Sequence, residues 1–151
     1  MRLSCMKALL LIGALTTACH ETTAPPKEPG TYSLESFNNQ PLPAVVSAGG
    51  LDTTLLVSAT LFLDGAANAT VIAHSREVHP STPPRDAIDT TLFTYRVVGD
   101  SIAFSYRCPY DGLCPLRPFG KTTSSTLTLY YGGSPQAGAV YFYRLLVSDP
   151  H

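Results

Sequence analysis

The stretch 91–107 limits the possible folds more than any other part of the chain. Phe93, Tyr95 and Val97 alternate with other residues, Gly99-Asp100 interrupts, and Ile102, Phe104 and Tyr106 resume the alternation. A period of two puts each set on one face of an extended strand. Two such runs around a two-residue, glycine-containing loop predict a β-hairpin. The same pattern recurs. Strands are expected over 31–37, 42–47, 55–63, 69–78, 91–98, 101–107, 122–131 and 139–147, with Leu55, Val57, Ala59, Leu61 and Leu63 sharing one face of the third. Turn signals separate them: 38–40, Gly49-Gly50, Asp64-Gly65 and Gly132-Gly133. The segment 79–89, with three prolines, reads as an irregular loop.

The chain carries 8 Tyr and 6 Phe against no Trp and 2 Met, a bias toward side chains that fit a pleated surface. No helix is expected after the N-terminal segment. Eight sequential antiparallel strands leave two exposed edges unless the sheet closes on itself. The expected fold class is therefore all-β, an antiparallel up-and-down barrel of about eight strands. A two-sheet sandwich is the alternative.

The N-terminus points to export. Arg2 and Lys7 are the only charges before Cys19, the apolar run 8–15 follows, and small residues Thr16, Thr17 and Ala18 come next. This order is that of a secretory signal over 1–18, with translation starting at Met1 or Met6. The cysteine directly after "LTTA" resembles a bacterial lipobox, which implies that Cys19 is lipidated and becomes the new N-terminus. Cleavage by ordinary signal peptidase at Thr16-x-Ala18 stays open. The segment 20–29, "HETTAPPKEP", is polar and proline-rich and reads as a tether. The domain plan is thus a signal (1–18), a lipidated cysteine with tether (19–29) and a barrel (30–148). Residue 20 is His, not the Asp that resembles an inner-membrane retention signal. The expected location is the bacterial cell envelope, at the outer membrane facing the periplasm or the cell surface, with the membrane engaged through the lipid anchor.

Of four cysteines, Cys5 leaves with the signal and Cys19 goes to lipid. Cys108 and Cys114 remain, bracketing "PYDGL", and a disulfide closing that loop is expected in an oxidising compartment. A metal site would lack ligands, and a redox pair would lack the C-x-x-C spacing. Lipidation of Cys19 also leaves no odd thiol exposed.

Four phrases occur in order: "GTYSLESFNNQPLPA" (30–44), "LFLDG" (61–65), "YRVVGDSIAFS" (95–105) and "STLTLYY" (125–131). Together they resemble the small lipocalin-like domains of bacterial lipoproteins. Tyr32 stands where lipocalins usually carry a tryptophan. The resemblance covers most of 30–147 and implies a lipocalin-like barrel.

Catalytic signatures are missing: no G-x-S-x-G, no H-E-x-x-H and no phosphate loop. No catalytic residue, metal ligand or cofactor is assigned, and the chain is not expected to be an enzyme. His74 and His79 lie five apart, which on a continuous strand sets them on opposite faces. Arg85, Asp86 and Asp89 fall in the expected 79–89 loop, where a solvated polar loop is the commoner outcome than a catalytic carboxylate pair. Tyr95, Phe104, Tyr106, Tyr141 and Tyr143 form the candidate ligand-binding set, with core filling as the alternative. Arg96 and Arg144 fall on the opposite faces. A net charge of −1 with scattered basic residues gives no footprint for nucleic acid. The expected function is binding of a small apolar or amphipathic molecule in the barrel. The alternative is an interaction or inhibitor module that presents the loops 108–114 and 79–89 to an envelope protein.

Overall fold

The structure, a computed structural model, describes residues 29–106, 117–132 and 138–146. The expected signal (1–18), Cys19, the expected tether up to residue 28, and Cys108 and Cys114 lie outside the described residues. Within them the chain forms ten antiparallel strand segments and no helix: β1 (Gly30–Phe37), β2 (Gln40–Pro41), β3 (Ala44–Gly49), β4 (Asp52–Leu63), β5 (Asn68–His79), β6 (Thr82–Val98), β7 (Ser101–Tyr106), β8 (Phe119–Thr122), β9 (Thr126–Tyr131) and β10 (Ala139–Leu145).

Eight of these close a ring. Neighbours run β1-β10-β9-β8-β7-β6-β5-β4, and β4 returns to β1 through Gly30↔Leu63 to Ser33↔Thr60. That last pairing closes the ring and decides for an eight-stranded up-and-down barrel over a sandwich. β1 and β4 then diverge. β2 pairs with the end of β1 and β3 with the first half of β4.

Alternation along the strands fills the barrel. Tyr32, Leu34, Leu61, Phe93, Tyr95, Ile102, Phe104, Leu127, Leu129 and Tyr143 all point inward and are buried, Leu61 and Leu127 completely. A fully buried leucine side chain contributes roughly 1.5–3 kcal/mol relative to exposure. The intervening residues face solvent, where Arg144 pairs with Glu35 at 2.8 Å and Arg96 is exposed.

Antiparallel connections alternate between the two ends. The turns at 64–67, 99–100 and 123–125 lie at one end, and those at 38–39, 50–51 and 80–81 at the other. The first end is tightly held. Asp64 Oδ1 accepts the amides of Ala66 (3.0 Å) and Asn68 (2.6 Å), and Oδ2 accepts the Asn68 side-chain amide at 2.8 Å. These bonds, the Asn68 side chain foremost, hold the Asp64 carboxyl below its ordinary range. Gly99 adopts φ +64°, which a tight two-residue hairpin requires. At the opposite end Asn38 (φ 49°) and Asn39 (φ 61°) make the β1–β2 turn. The Asn38 amide donates to the Val140 carbonyl, and Asn38 Oδ1 accepts the Val140 amide, both at 2.8 Å, which pins the turn to β10.

Three expectations need correction. The segment 79–89 is not an irregular loop. Only Pro80 and Ser81 turn, and β6 begins at Thr82 and pairs with β5 along its length, with one irregularity between Glu77 and His79. The expected strand 122–131 begins only at Thr126: Thr122 ends the separate strand β8, and 123–125 form a tight turn in which Thr123 Oγ1 accepts the Thr126 amide at 3.0 Å. The third strand does not keep Leu55 and Val57 on the inner face. A bulge between Leu56 and Ser58 shifts the phase, so Leu56 joins Ala59, Leu61 and Leu63 inside.

Candidate functional site

At the end opposite Asp64 the described residues leave a hollow. β7 reaches this end at Tyr106, β9 at Tyr131, β10 at Tyr141 and β1 at Phe37, so these four strands gather aromatic residues on one side of the mouth. Below the rim lies a cavity of about 240 Å³. Leu56, Ala59, Val71, Ala73 and Phe93 form its apolar walls, and Tyr106, Tyr131, Tyr141 and Tyr143 supply the aromatic side, with Val46 and Thr91 at the edge. Small residues on β4 and β5 face large ones across the barrel. Ala59 and Ala73 are direct cross-strand partners, and space remains above them.

The rings support one another. Phe37 meets Tyr141 edge-on at 4.9 Å, Tyr131 and Tyr141 tilt together at 4.7 Å, and Phe93 and Tyr106 at 4.4 Å. Contacts of this kind add about 0.5–1.5 kcal/mol each beyond burial and fix ring orientation. Burial is the first cause that raises the pKa of Tyr106, Tyr131, Tyr141 and Tyr143, and neighbouring phenols raise the last three further. All four therefore stay neutral, as hydrogen-bond donors, at physiological pH.

Of the five residues singled out in the sequence, Tyr106, Tyr141 and Tyr143 line the cavity. Tyr95 and Phe104 do not. They lie deeper and pack as core, 6.1 Å apart between ring centres, and the Tyr95 hydroxyl donates to the Asp64 carbonyl at the closed end. Tyr131 was not among the five. The alternation Leu127, Leu129, Tyr131 carries the signal for it. Leu56 was hidden by the bulge.

The other polar candidates separate as strand geometry dictates. β5 is continuous through His74 and His79, which face opposite sides. His74 Nε2 lies 3.8 Å from Asp86 outside the barrel, and His79 Nε2 lies 3.9 Å from Asp52 on the inner side. Asp86 and Asp89, three apart on β6, point to opposite faces and form no carboxylate pair. Asp86 instead accepts from Arg76 Nε and Nη2, at 2.7 and 3.1 Å, which lowers its pKa. A second hollow, about 370 Å³, lies between Asp52, Thr54, Glu77, His79, Thr82 and Arg85. It is larger than the mouth, but its walls mix charged residues of both signs with Thr54, Thr82 and Pro83. Among the described residues no group of three His, Cys, Asp or Glu is placed to hold a metal ion.

No protein-family model, no curated protein and no solved structure matches this chain.

Proposed function

We propose that this protein is an exported lipoprotein, anchored in a bacterial envelope through Cys19, that binds a small apolar or amphipathic molecule in the mouth of its barrel. It acts as a binder and not as an enzyme. The anchor rests on the N-terminal pattern 1–29 and the resemblance of "LTTA" and Cys19 to a lipobox. Binding rests on one observation: the barrel is packed solid at the Asp64 end and hollow at the Tyr141 end, where the cavity wall is apolar and aromatic. Ligand sites of this kind are concave, mostly apolar and carry a few placed polar groups. An eight-stranded barrel has room for one small molecule. Native mass spectrometry of the protein purified from its own envelope fraction tests the reading. A reproducible added mass on the folded chain supports it. A clean ligand-free mass across preparations counts against it.

One observation favours a second reading, a docking module. The β5–β6 hairpin runs past β7, which pairs only with Phe93–Val98. Among the described residues nothing pairs with the other edge of β6 from Thr82 to Leu92, and Ile88 and Leu92 are 71% and 58% exposed there. Such an edge accepts an added strand from a partner. A photocrosslinker at Ile88 in living cells would capture an envelope protein on this reading and none on the first.

A further inference from the structure

Three features of the mouth restrict what can enter it. The first is charge. Among the described residues lining the cavity there is no Lys, Arg or His. Of the described cations near its walls, His74 and Arg76 face out toward Asp86, Arg96 is exposed on the outer face of β6 and Arg144 pairs with Glu35, while His79 and Arg85 line the separate hollow at the tips of β5 and β6 with Asp52 and Glu77. A carboxylate moved into such a space loses its hydration and meets no counter-charge.

The second is the set of hydroxyls. Tyr106, Tyr131, Tyr141 and Tyr143 make no hydrogen bond within the described residues, yet no buried side-chain oxygen there lacks a partner. Tyr106, Tyr131 and Tyr141 keep part of their surface accessible where they line the cavity, whereas Tyr143 is buried beneath them. A phenol held neutral by burial offers a proton and needs an acceptor to receive it. The third is shape. The cavity, about 240 Å³, is smaller than the roughly 300–1,000 Å³ typical of drug-sized ligands. Its lining is largely apolar and aromatic, with Phe93 beside the four tyrosines.

The geometry points to an uncharged, ring-bearing molecule with a carbonyl-type oxygen as the occupant, held by hydrogen bonds donated from the mouth tyrosines, with carboxylates of the same skeleton turned away. This rests on the reading of the mouth as a binding site and adds its chemical selectivity.

Isothermal titration of the full-length chain with three matched probes tests it: 2-acetylnaphthalene, 2-naphthoate and naphthalene. At neutral pH the ketone should bind at least about tenfold tighter than the carboxylate, the equivalent of one unsatisfied polar or charged contact. Tyr131→Phe and Tyr141→Phe, which keep the rings, should each weaken the ketone about three- to tenfold and leave naphthalene unchanged. If carboxylate and ketone bind equally, or the carboxylate binds tighter, the charge selectivity is overturned while the mouth stands as a site. If the phenylalanine variants bind the ketone as well as the parent does, the role of the hydroxyls is overturned. If none of the three probes binds, the mouth itself is not the site, and both readings fall.

Discussion

The Tyr95 hydroxyl donates to the backbone carbonyl of Asp64, joining β6 to the turn that leaves β4. The bond seals the closed end of the barrel from inside, while the Asp64 carboxylate orders the same turn from outside. Removing the hydroxyl leaves a part-buried carbonyl unanswered. Tyr95→Phe should therefore destabilise the fold by about 1 kcal/mol, read as a lower urea midpoint at unchanged slope. Ligand binding at the far end should be untouched.

Gly120 on β8 has no room for a side chain. A Cβ there would fall 1.9 Å from the Thr128 carbonyl oxygen of β9, and that neighbour is backbone. Gly120→Ala should force β8 and β9 apart at the Gly120↔Leu129 pair and cost about 1–3 kcal/mol, measured by chemical denaturation.

The buried tyrosines make the fold sensitive to alkali. Burial, then Asp64 and Tyr32, pushes Tyr95 up to about 12, and burial also raises Tyr131 and Tyr143. An unfolded tyrosine titrates near about 10. Since the folded values lie above the unfolded one, these groups contribute their full stability below about pH 10. That contribution is lost as pH rises from there through the folded pKa values. Stability should be flat near neutrality and fall steeply above about pH 10. Tyrosinate absorbance should show a late component that appears together with loss of sheet structure. A single early transition for all eight tyrosines, before unfolding, would contradict this.

The bulge on β4 separates two adjacent leucines. Leu56 is buried at the mouth wall and Leu55 is only half-buried, outside. Leu56→Ala should cost about 2–5 kcal/mol, and Leu55→Ala clearly less. Equal losses would mean that the register of β4 is not the one described.

Much of this architecture was legible in the sequence, for a physical reason. Where one strand face is buried and the other wet, period two is written in the residues, as at Phe93, Tyr95, Val97 and at Ile102, Phe104, Tyr106. Where both faces are wet the pattern vanishes. Residues 82–90 of β6 are exposed on both sides, and Pro83 and Pro84 read as loop. β8 is four residues long, too short to show a period. The bulge near Val57 shifts the phase, so a correct strand yields a wrong face for Leu55 and Leu56. The count of eight survives with different members: β8 belongs to the closed ring, and β3 does not. At the site, alternation identified which aromatics point inward but not how deep each one lies. Depth depends on register across the barrel, which separates Tyr95 and Phe104 from Tyr106 and Tyr141.

The most direct test of a barrel closed at one end and receptive at the other is a methyl-detected NMR titration with 2-acetylnaphthalene. Methyl signals of Leu56, Ala59, Val71 and Ala73 should shift saturably, while those of Ile102 and Leu127 at the packed end stay in place. Shifts confined to exterior groups such as Ile88 and Leu92, or no saturable shift at all, would contradict a binding mouth.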